Sequence, residues 1–194
     1  YNWQNSTQGW VSGGNCNLTA QADAMAMRLF SSNAVMRSGN LQANLGINGG
    51  DYNQVQVMIK NPTTGSAVAR LFLYPPGTNT AACYYTFQVD TAMTGFSTYT
   101  ISLDSLPSGG SSTVYTGPIA RFGLRAPWGG VNFDTIFWKQ MIISNTNQVI
   151  DSVNITFNVD MSQVLDPFTT PELNGTFNSW CGNCNAMSDS DGDN

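Results

Sequence analysis

The stretch from residue 52 to residue 74, YNQVQVMIKNPTTGSAVARLFLY, constrains the fold of this chain more than any other. Apolar side chains alternate with polar or longer ones over residues 54–60 and again over residues 69–74. That two-residue period is typical of strands with one buried face. Pro62 and Gly65 favour a chain reversal between the two runs. We therefore predict two neighbouring antiparallel strands, with one apolar face and one face that carries a cation and aromatic rings.

Further runs with the same period, separated by turn residues, extend this pattern along the chain. They lie at residues 25–29, 83–89, 99–103, 119–125 and 131–143, the last with a slip in its alternation near Trp138. We find no convincing helical pattern, and many short strands between turn signals favour a β-sandwich. Trp3, Trp10 and Trp138 are interpreted as core residues of that sandwich.

Charged side chains make up only 10% of the 194 residues, and the net charge is -5. Seven basic residues are too few for a patch that neutralises phosphates, which argues against nucleic acid and against an anionic membrane surface. No apolar run approaches the roughly 20 residues that a membrane span needs. The chain opens without a signal peptide, so we expect a mature or excised piece. A weakly charged surface rich in amides and hydroxyls favours uncharged polar ligands.

The four cysteines suit an oxidising compartment, so we expect an extracellular or cell-surface location. Cys181 and Cys184 form a CxxC without the βαβ context of a redox motif, and we predict a local disulfide between them. Half of a metal knuckle and free thiols are the alternatives. A bond between Cys16 and Cys83 stays open, because spacing alone cannot decide it.

Residues for catalysis are scarce in this chain. It has no histidine, which excludes histidine-based triads, and its single glutamate is Glu172. Glycoside hydrolysis normally needs two facing carboxylates. The aspartates that could supply a pair lie in or beside turns and are interpreted as turn caps: Asp51, Asp90, Asp104 and Asp134. We therefore expect no enzymatic activity.

A candidate binding surface emerges from side chains that share the outward parity of their strands. A sugar offers an apolar CH face and a rim of hydroxyls, which aromatic rings and hydrogen-bond donors can recognise together. Trp128 lies in a short glycine-flanked loop, where it either contacts a ligand or packs over the end of the sandwich. The candidate carbohydrate-binding residues are Trp128, Tyr84, Arg125, Arg70, Tyr74 and Arg121.

Asp134 lies near the start of the last predicted strand of the first domain, residues 131–143. A carboxylate there can complete a Ca²⁺ site with backbone carbonyls, pair with Arg121, or cap a turn, and the sequence leaves these alternatives open. The final run DSDGDN, residues 189–194, is similar to the first half of a calcium loop. It lacks the distal glutamate, so we favour a hairpin tip.

Several ordered segments together resemble a known family. They are QGW at residues 8–10, DYNQV at 51–55, MIKNPT at 58–63, ARLF at 69–72, TYTI at 98–101, IARF at 119–122 and VNFDTI at 131–136. This order is similar to that of the jelly-roll, galactose-binding-like carbohydrate-binding modules in multimodular secreted polysaccharide-utilisation proteins of Bacteroidota. The resemblance implies non-catalytic binding, with a laminarin-like β-glucan as a frequent ligand. It also implies a structural calcium near the first and last strands, which would involve Asp134.

The tail from residue 153, VNITFNVDMSQV, resembles the opening of an immunoglobulin-like, starch-binding-type module. We therefore predict an all-β chain: a two-sheet jelly-roll β-sandwich at residues 1–145, a linker at 146–152 and a truncated second β-sandwich module at 153–194. The leading function is binding of a neutral polysaccharide by a secreted or surface protein that carries neighbouring modules. The alternative is a structural or adhesive spacer in a large cell-surface protein.

Overall fold

The computed structural model describes residues 1–146, 175–176 and 179–181. The chain divides into two compact units, Tyr1–Val149 and Ile150–Asn194. The predicted immunoglobulin-like opening and the DSDGDN run lie outside the described residues, apart from the few positions between 175 and 181. The two predictions therefore stay predictions, and the fold below is that of the first unit.

The described part of the first unit contains strands and one short 3₁₀ helix, Gly49–Asp51, but no α-helix. The strands are β1 (Val11–Gly14), β2 (Cys16–Ala20), β3 (Met25–Leu29), β4 (Val35–Arg37), β5 (Ile47–Asn48), β6 (Gln54–Lys60), β7 (Val68–Tyr74), β8 (Cys83–Gln88), β9 (Ser97–Ser102), β10 (Pro118–Ile119), β11 (Arg121–Arg125) and β12 (Thr135–Ser144). The all-β prediction is confirmed.

Two five-stranded antiparallel sheets form the sandwich. The front sheet has the order β1-β4-β11-β7-β8, and the back sheet has the order β2-β3-β12-β6-β9. A separate two-stranded ladder joins β5 to β10. The chain moves repeatedly between the sheets, from β3 to β4, from β6 to β7, from β8 to β9 and from β11 to β12. This connectivity is that of a jelly roll, as predicted.

The predicted pairing of β6 with β7 is wrong. β6 pairs with β12 and β9 in the back sheet, whereas β7 pairs with β11 and β8 in the front sheet. The turn at residues 61–67 therefore crosses from one sheet to the other. Both strands still point their alternate apolar side chains into the same interior, so a crossing and a hairpin give the same alternation in sequence.

Asn61 holds this crossing in place from a fully buried position. Its Nδ2 donates to the carbonyl of Asp90 at 3.1 Å. Its Oδ1 accepts the Thr63 amide at 3.1 Å and the Thr63 hydroxyl at 2.7 Å. The backbone carbonyl of Asn61 accepts the amide of Met93. Asn61 thus links the turn between β6 and β7 to the segment that joins β8 to β9.

The three tryptophans predicted as core residues are confirmed in that role. Trp3, Trp10 and Trp138 have relative exposures of 0%, 2% and 0%. Trp3 and Trp10 meet edge to face, with ring centroids 5.1 Å apart, a favourable aromatic geometry. The register of β12 against β6 shifts between Trp138 and Gln140, which is the bulge that the slipped alternation predicted.

The outer edge of β8 is covered by a short segment that follows β9. The Tyr84 amide donates to the carbonyl of Gly109 at 3.0 Å, and the Ser108 amide donates to the carbonyl of Tyr84 at 2.8 Å. The Thr86 amide donates to the Ser108 hydroxyl at 2.8 Å. The last strand of the front sheet therefore has partners on both of its sides.

Cys16 and Cys83, whose pairing the sequence left open, are not bonded to each other. Both are buried free thiols, Cys16 in the back sheet and Cys83 in the front sheet, so no bond joins them. Cys181 is disulfide-bonded. Cys184 lies outside the described residues, and its pairing with Cys181 stays a prediction.

Alkaline pH should destabilise the sandwich through two groups in its interior, the Cys83 thiol and the Tyr85 phenol. Burial raises the pKa of the Cys83 thiol to about 11 and the pKa of Tyr85 to about 12. In the unfolded chain these groups lose their protons near pH 8.5 and pH 10. Their protonated forms therefore stabilise the fold fully below about pH 8.5, and this contribution is lost as the pH rises through about 11 to 12.

Urea denaturation between neutral and strongly alkaline pH should show a free energy of unfolding that declines above about pH 8.5. A Cys83→Val variant should lack the first part of this decline. A wild-type free energy that stays constant between pH 9 and pH 11 would contradict the assignment.

Candidate functional site

The outward face of the front sheet gathers cations and rings that lie far apart in sequence. Four of the five arginines of the chain share this face with three aromatic side chains. We call it the arginine face, and its members are Arg37, Arg70, Arg121, Arg125, Phe72, Tyr74 and Tyr84. Alternation along each strand explains the grouping, since residues two apart project to the same side.

The strand register places these side chains in rows across the sheet. Arg37 lies opposite Gly123, which lies opposite Phe72, which in turn lies opposite Tyr84. In the next row, Arg125 lies opposite Arg70. The face thus places two rings, Phe72 and Tyr84, side by side in one row and two guanidinium groups, Arg125 and Arg70, side by side in the next.

The arginines are held over ring faces. The guanidinium carbon of Arg70 lies 4.5 Å from the centroid of the Tyr84 ring. Those of Arg37 and Arg121 each lie 5.2 Å from the Tyr74 ring. Phe72 joins the two tyrosines, with centroid distances of 5.6 Å to Tyr84 and 6.2 Å to Tyr74. Such cation–π contacts fix the orientation of the cations and leave their edge donors free for other partners.

Electrostatically, the face is a cluster of like charges. Burial lowers the pKa of Arg121, and the charge of Arg37 lowers it further. Burial and the charge of Arg70 do the same to the pKa of Arg125. The buried Nε atoms of all four arginines lack a hydrogen-bond partner among the residues that the structure describes. Arg121 donates side-chain hydrogen bonds to Thr78 and Asn79, but the Nε groups of the four cations stay unpaired within the described chain.

The predicted contacts differ in how far they reach the surface. Arg70, Arg125 and Tyr84 are half-buried and lie together. Tyr74 and Arg121, which we expected at the surface, are buried, at 4% and 1% exposure. The outward parity was predicted correctly, but their exposure was not.

The loop between β7 and β8 accounts for the burial of Tyr74 and Arg121. Arg121 donates to the carbonyl of Thr78 and, at 3.1 Å, to the Oδ1 of Asn79. The loop therefore covers one end of the arginine face. Tyr74 and Arg121 form the floor of the face, and direct contact of either residue with a ligand remains untested.

Trp128 lies at the other end of the face. It is half-buried, packs against the core, and follows β11 three residues after Arg125. Its carbonyl accepts the Ser66 amide at 2.7 Å, two residues before β7 begins. A Cβ on Gly65 would lie 2.5 Å from this carbonyl oxygen, so the two loops can touch only because residue 65 is glycine. A ligand contact by Trp128 stays a prediction.

Asp134 caps a turn in the structure. Its Oδ2 accepts the Val131 amide at 3.4 Å, a long bond, and Arg121 is committed to the β7–β8 loop. Within the described ranges, no three His, Cys, Asp or Glu side chains gather into a group that could hold a metal ion. A calcium ion at Asp134 would have to take its other ligands from backbone carbonyls, and it stays a prediction.

Arg37 and Phe72 belong to the face but were missed as candidate site residues. β4 has three residues, which is too short for alternation to reveal the parity of Arg37. Phe72 has the same parity as Arg70 and Tyr74 in β7, so the alternation in this strand already indicated that it lies on the same face.

The back sheet supplies a useful contrast. Arg28 lies 4.5 Å from the ring centroid of Phe133, the same distance as in the Arg70–Tyr84 pair, but on the opposite sheet.

Two surface cavities of about 400 and 610 Å³ lie elsewhere, and neither is lined by a residue of the arginine face. Among the described residues, no helix is both long and apolar enough to cross a membrane.

Comparison with known proteins is informative only at the level of structure. No family model and no curated protein matches the chain. An arabinose-bound α-L-arabinofuranosidase, MgGH51, is similar at 12% identity and a TM-score of 0.52, over 72% of this chain and 25% of that one. PfGH50B is similar at 14% identity and a TM-score of 0.51, over 73% and 23%. This chain thus spans about a quarter of the length of these two proteins.

Structures of carbohydrate-binding modules are similar over most of their own length. The low-affinity xylan-binding module CBM86 of Roseburia intestinalis shows 15% identity and a TM-score of 0.43, over 70% of this chain and 88% of the module. The likeness to the two structures with TM-scores above 0.5 shows the fold alone. A two-sheet β-sandwich hosts many functions, so the function has to be argued from the face itself.

Proposed function

We propose that this chain is a non-catalytic carbohydrate-binding module whose ligand lies on the arginine face. The observation that carries this proposal is the half-buried Arg70–Tyr84 pair beside Phe72. The phenol and phenyl rings offer apolar surfaces for the CH face of a sugar, while the guanidinium offers donors for its oxygens.

The carboxylates support a binding role over a catalytic one. The Oδ2 of Asp90 accepts the Tyr99 hydroxyl at 3.0 Å, and that of Asp51 accepts the Asn48 amide at 3.3 Å. Asp134 caps its own turn. These three carboxylates serve local structure, whereas glycoside hydrolysis needs two carboxylates across one bond. The proposal includes an extracellular or cell-surface location and neighbouring modules in the same protein.

Affinity electrophoresis tests the proposal. The 194-residue chain should be retarded in a gel that contains a glycan, within a panel of laminarin, xylan and alginate. Arg70→Ala and Tyr84→Ala should each weaken binding about tenfold, since a stacking or cation–π contact is worth about 1–2 kcal/mol.

Arg28→Ala is the matched control, because it removes an arginine from an equivalent ring contact on the other sheet. It should leave retardation unchanged, and melting temperatures should show that all variants are folded. Retardation that survives both arginine-face variants would place the site elsewhere. No retardation on any glycan would favour the spacer.

A further inference from the structure

The arginine face departs from what the average composition suggests. The whole chain carries a net charge of -5, yet four of its seven basic residues lie on one side of one sheet. Buried or half-buried charges are normally paired with an opposite charge, because leaving water is costly for an ion. Here the charged neighbours that lower the pKa values of Arg121 and Arg125 are themselves arginines, Arg37 and Arg70.

The aromatic rings offset the cost of burying these unpaired cations only in part. A cation over a ring gains electrostatic attraction, but the ring accepts no strong hydrogen bond from the guanidinium edge. The Nε atoms of all four arginines accordingly remain without a partner among the described residues. Arg70 and Arg125 lie side by side in register, and neither is fully buried. A guanidinium can bind an oxyanion through two parallel hydrogen bonds, so two neighbouring arginines without a carboxylate partner suit a ligand of that kind.

We propose that the arginine face binds a polysaccharide whose sugars carry an oxyanion. This inference rests on the proposed function and replaces the neutral glucan with an acidic polymer. Arg70 and Arg125 bind the oxyanion, and Tyr84 and Phe72 contact the sugar rings beside it. The bonds of Arg121 to the β7–β8 loop hold it against the Tyr74 ring below this surface.

The oxyanion can be a carboxylate or a sulfate ester, since both fit the guanidinium fork. A polyanion should approach the chain chiefly at the arginine face, because four of the seven basic residues lie there.

Isothermal titration of the 194-residue chain should compare polygalacturonate with its fully methyl-esterified form. The two polymers share a backbone and differ in the charge of the carboxyl group. We expect the acidic form to bind at least about tenfold more tightly, since charge-assisted bonds exceed neutral ones. Affinity should fall several-fold as salt rises from about 0.05 M to about 0.3 M, because screening weakens exposed charge pairs. Carrageenan and laminarin complete the panel as a sulfated and a neutral polymer.

Substitutions of the arginines distinguish the effect of the positive charge from that of the planar guanidinium group. Arg70→Gln and Arg125→Gln should each lose most of the preference for the acidic polymer, while Arg28→Gln should keep it. Arg70→Lys preserves the charge without the planar fork, so it should recover the salt dependence but only part of the affinity.

Each outcome has a distinct meaning. Preferential binding of polygalacturonate or of carrageenan supports the inference and identifies the oxyanion as carboxylate or sulfate. Equal binding of the esterified form, or of laminarin, overturns the inference and leaves the proposed function intact. Duplex DNA is titrated as a polyanion without sugar carboxylates or sulfates, and equal binding of it also overturns the inference, because recognition would then be of polyanions in general. No binding to any glycan overturns both proposals.

Discussion

Replacement of Trp138 by alanine should lower the free energy of unfolding by about 3–5 kcal/mol. Trp138 is fully buried on β12, the central strand of the back sheet, where it is paired with Met25 on one side and with Ile59 on the other. The substitution removes one of the largest side chains of the core and leaves a cavity that central strands cannot easily close. Its indole Nε1 has no hydrogen-bond partner among the described residues, so the loss comes from packing.

Trp128→Ala is the matched control, since it removes the same side chain from a half-buried loop position. It should cost about 1–2 kcal/mol, because the transfer term scales with the area removed from water. Urea denaturation with a common m-value provides the comparison. Equal losses for the two variants would contradict the assignment of Trp138 to the core and Trp128 to its margin.

Asn61→Ala should cost about 2–4 kcal/mol, the second largest effect that we expect. The side chain is fully buried and satisfies the Asp90 carbonyl together with the amide and hydroxyl of Thr63. Alanine would remove the partner of the Asp90 carbonyl and of the half-buried Thr63 amide and hydroxyl, and each of these groups that water cannot reach then carries a desolvation penalty. The crossing between the sheets would also lose its link to the β8–β9 segment.

Asn40 provides a control with the same local geometry. Its Oδ1 accepts the amide of Gln42 at 3.1 Å, two residues on, as that of Asn61 accepts the amide of Thr63. Because Asn40 is exposed, water can replace this bond, and Asn40→Ala should cost less than about 1 kcal/mol. A similar cost for both variants would show that burial of Asn61 does not determine its contribution.

Strand parity could be predicted from the sequence because it depends on neighbours along the chain. The alternation in β7, β8 and β11 correctly assigned Arg70, Tyr84 and Arg125 to one side. Strand partners depend on contacts between distant segments, and alternation carries no information about them. For this reason the turn after β6 was interpreted as a hairpin, although it connects the two sheets.

Exposure could not be predicted in the same way. Tyr74 and Arg121 have the parity of surface residues, but the β7–β8 loop covers them through bonds from Arg121 to Thr78 and Asn79. Where a loop of prolines, glycine and polar residues folds back is not encoded in any period of the sequence.

The overall composition does not reveal the local positive charge of the arginine face. A content of 10% charged residues suggested a neutral ligand, because the mean says nothing about position. Folding collects Arg37, Arg70, Arg121 and Arg125 from segments up to 88 residues apart, the separation of Arg37 and Arg125 in the numbering. The assembled face has a local charge opposite in sign to that of the whole chain.

The covered edge of β8 bears on how such a protein behaves when crowded. A polymer with repeated sites would hold many copies close together, and an open sheet edge would then invite strand addition from one copy to the next. The segment at residues 108–109 occupies that position beside Tyr84 and Thr86. Copies of the chain that bind densely along such a polymer should therefore stay separate and should not aggregate through this edge.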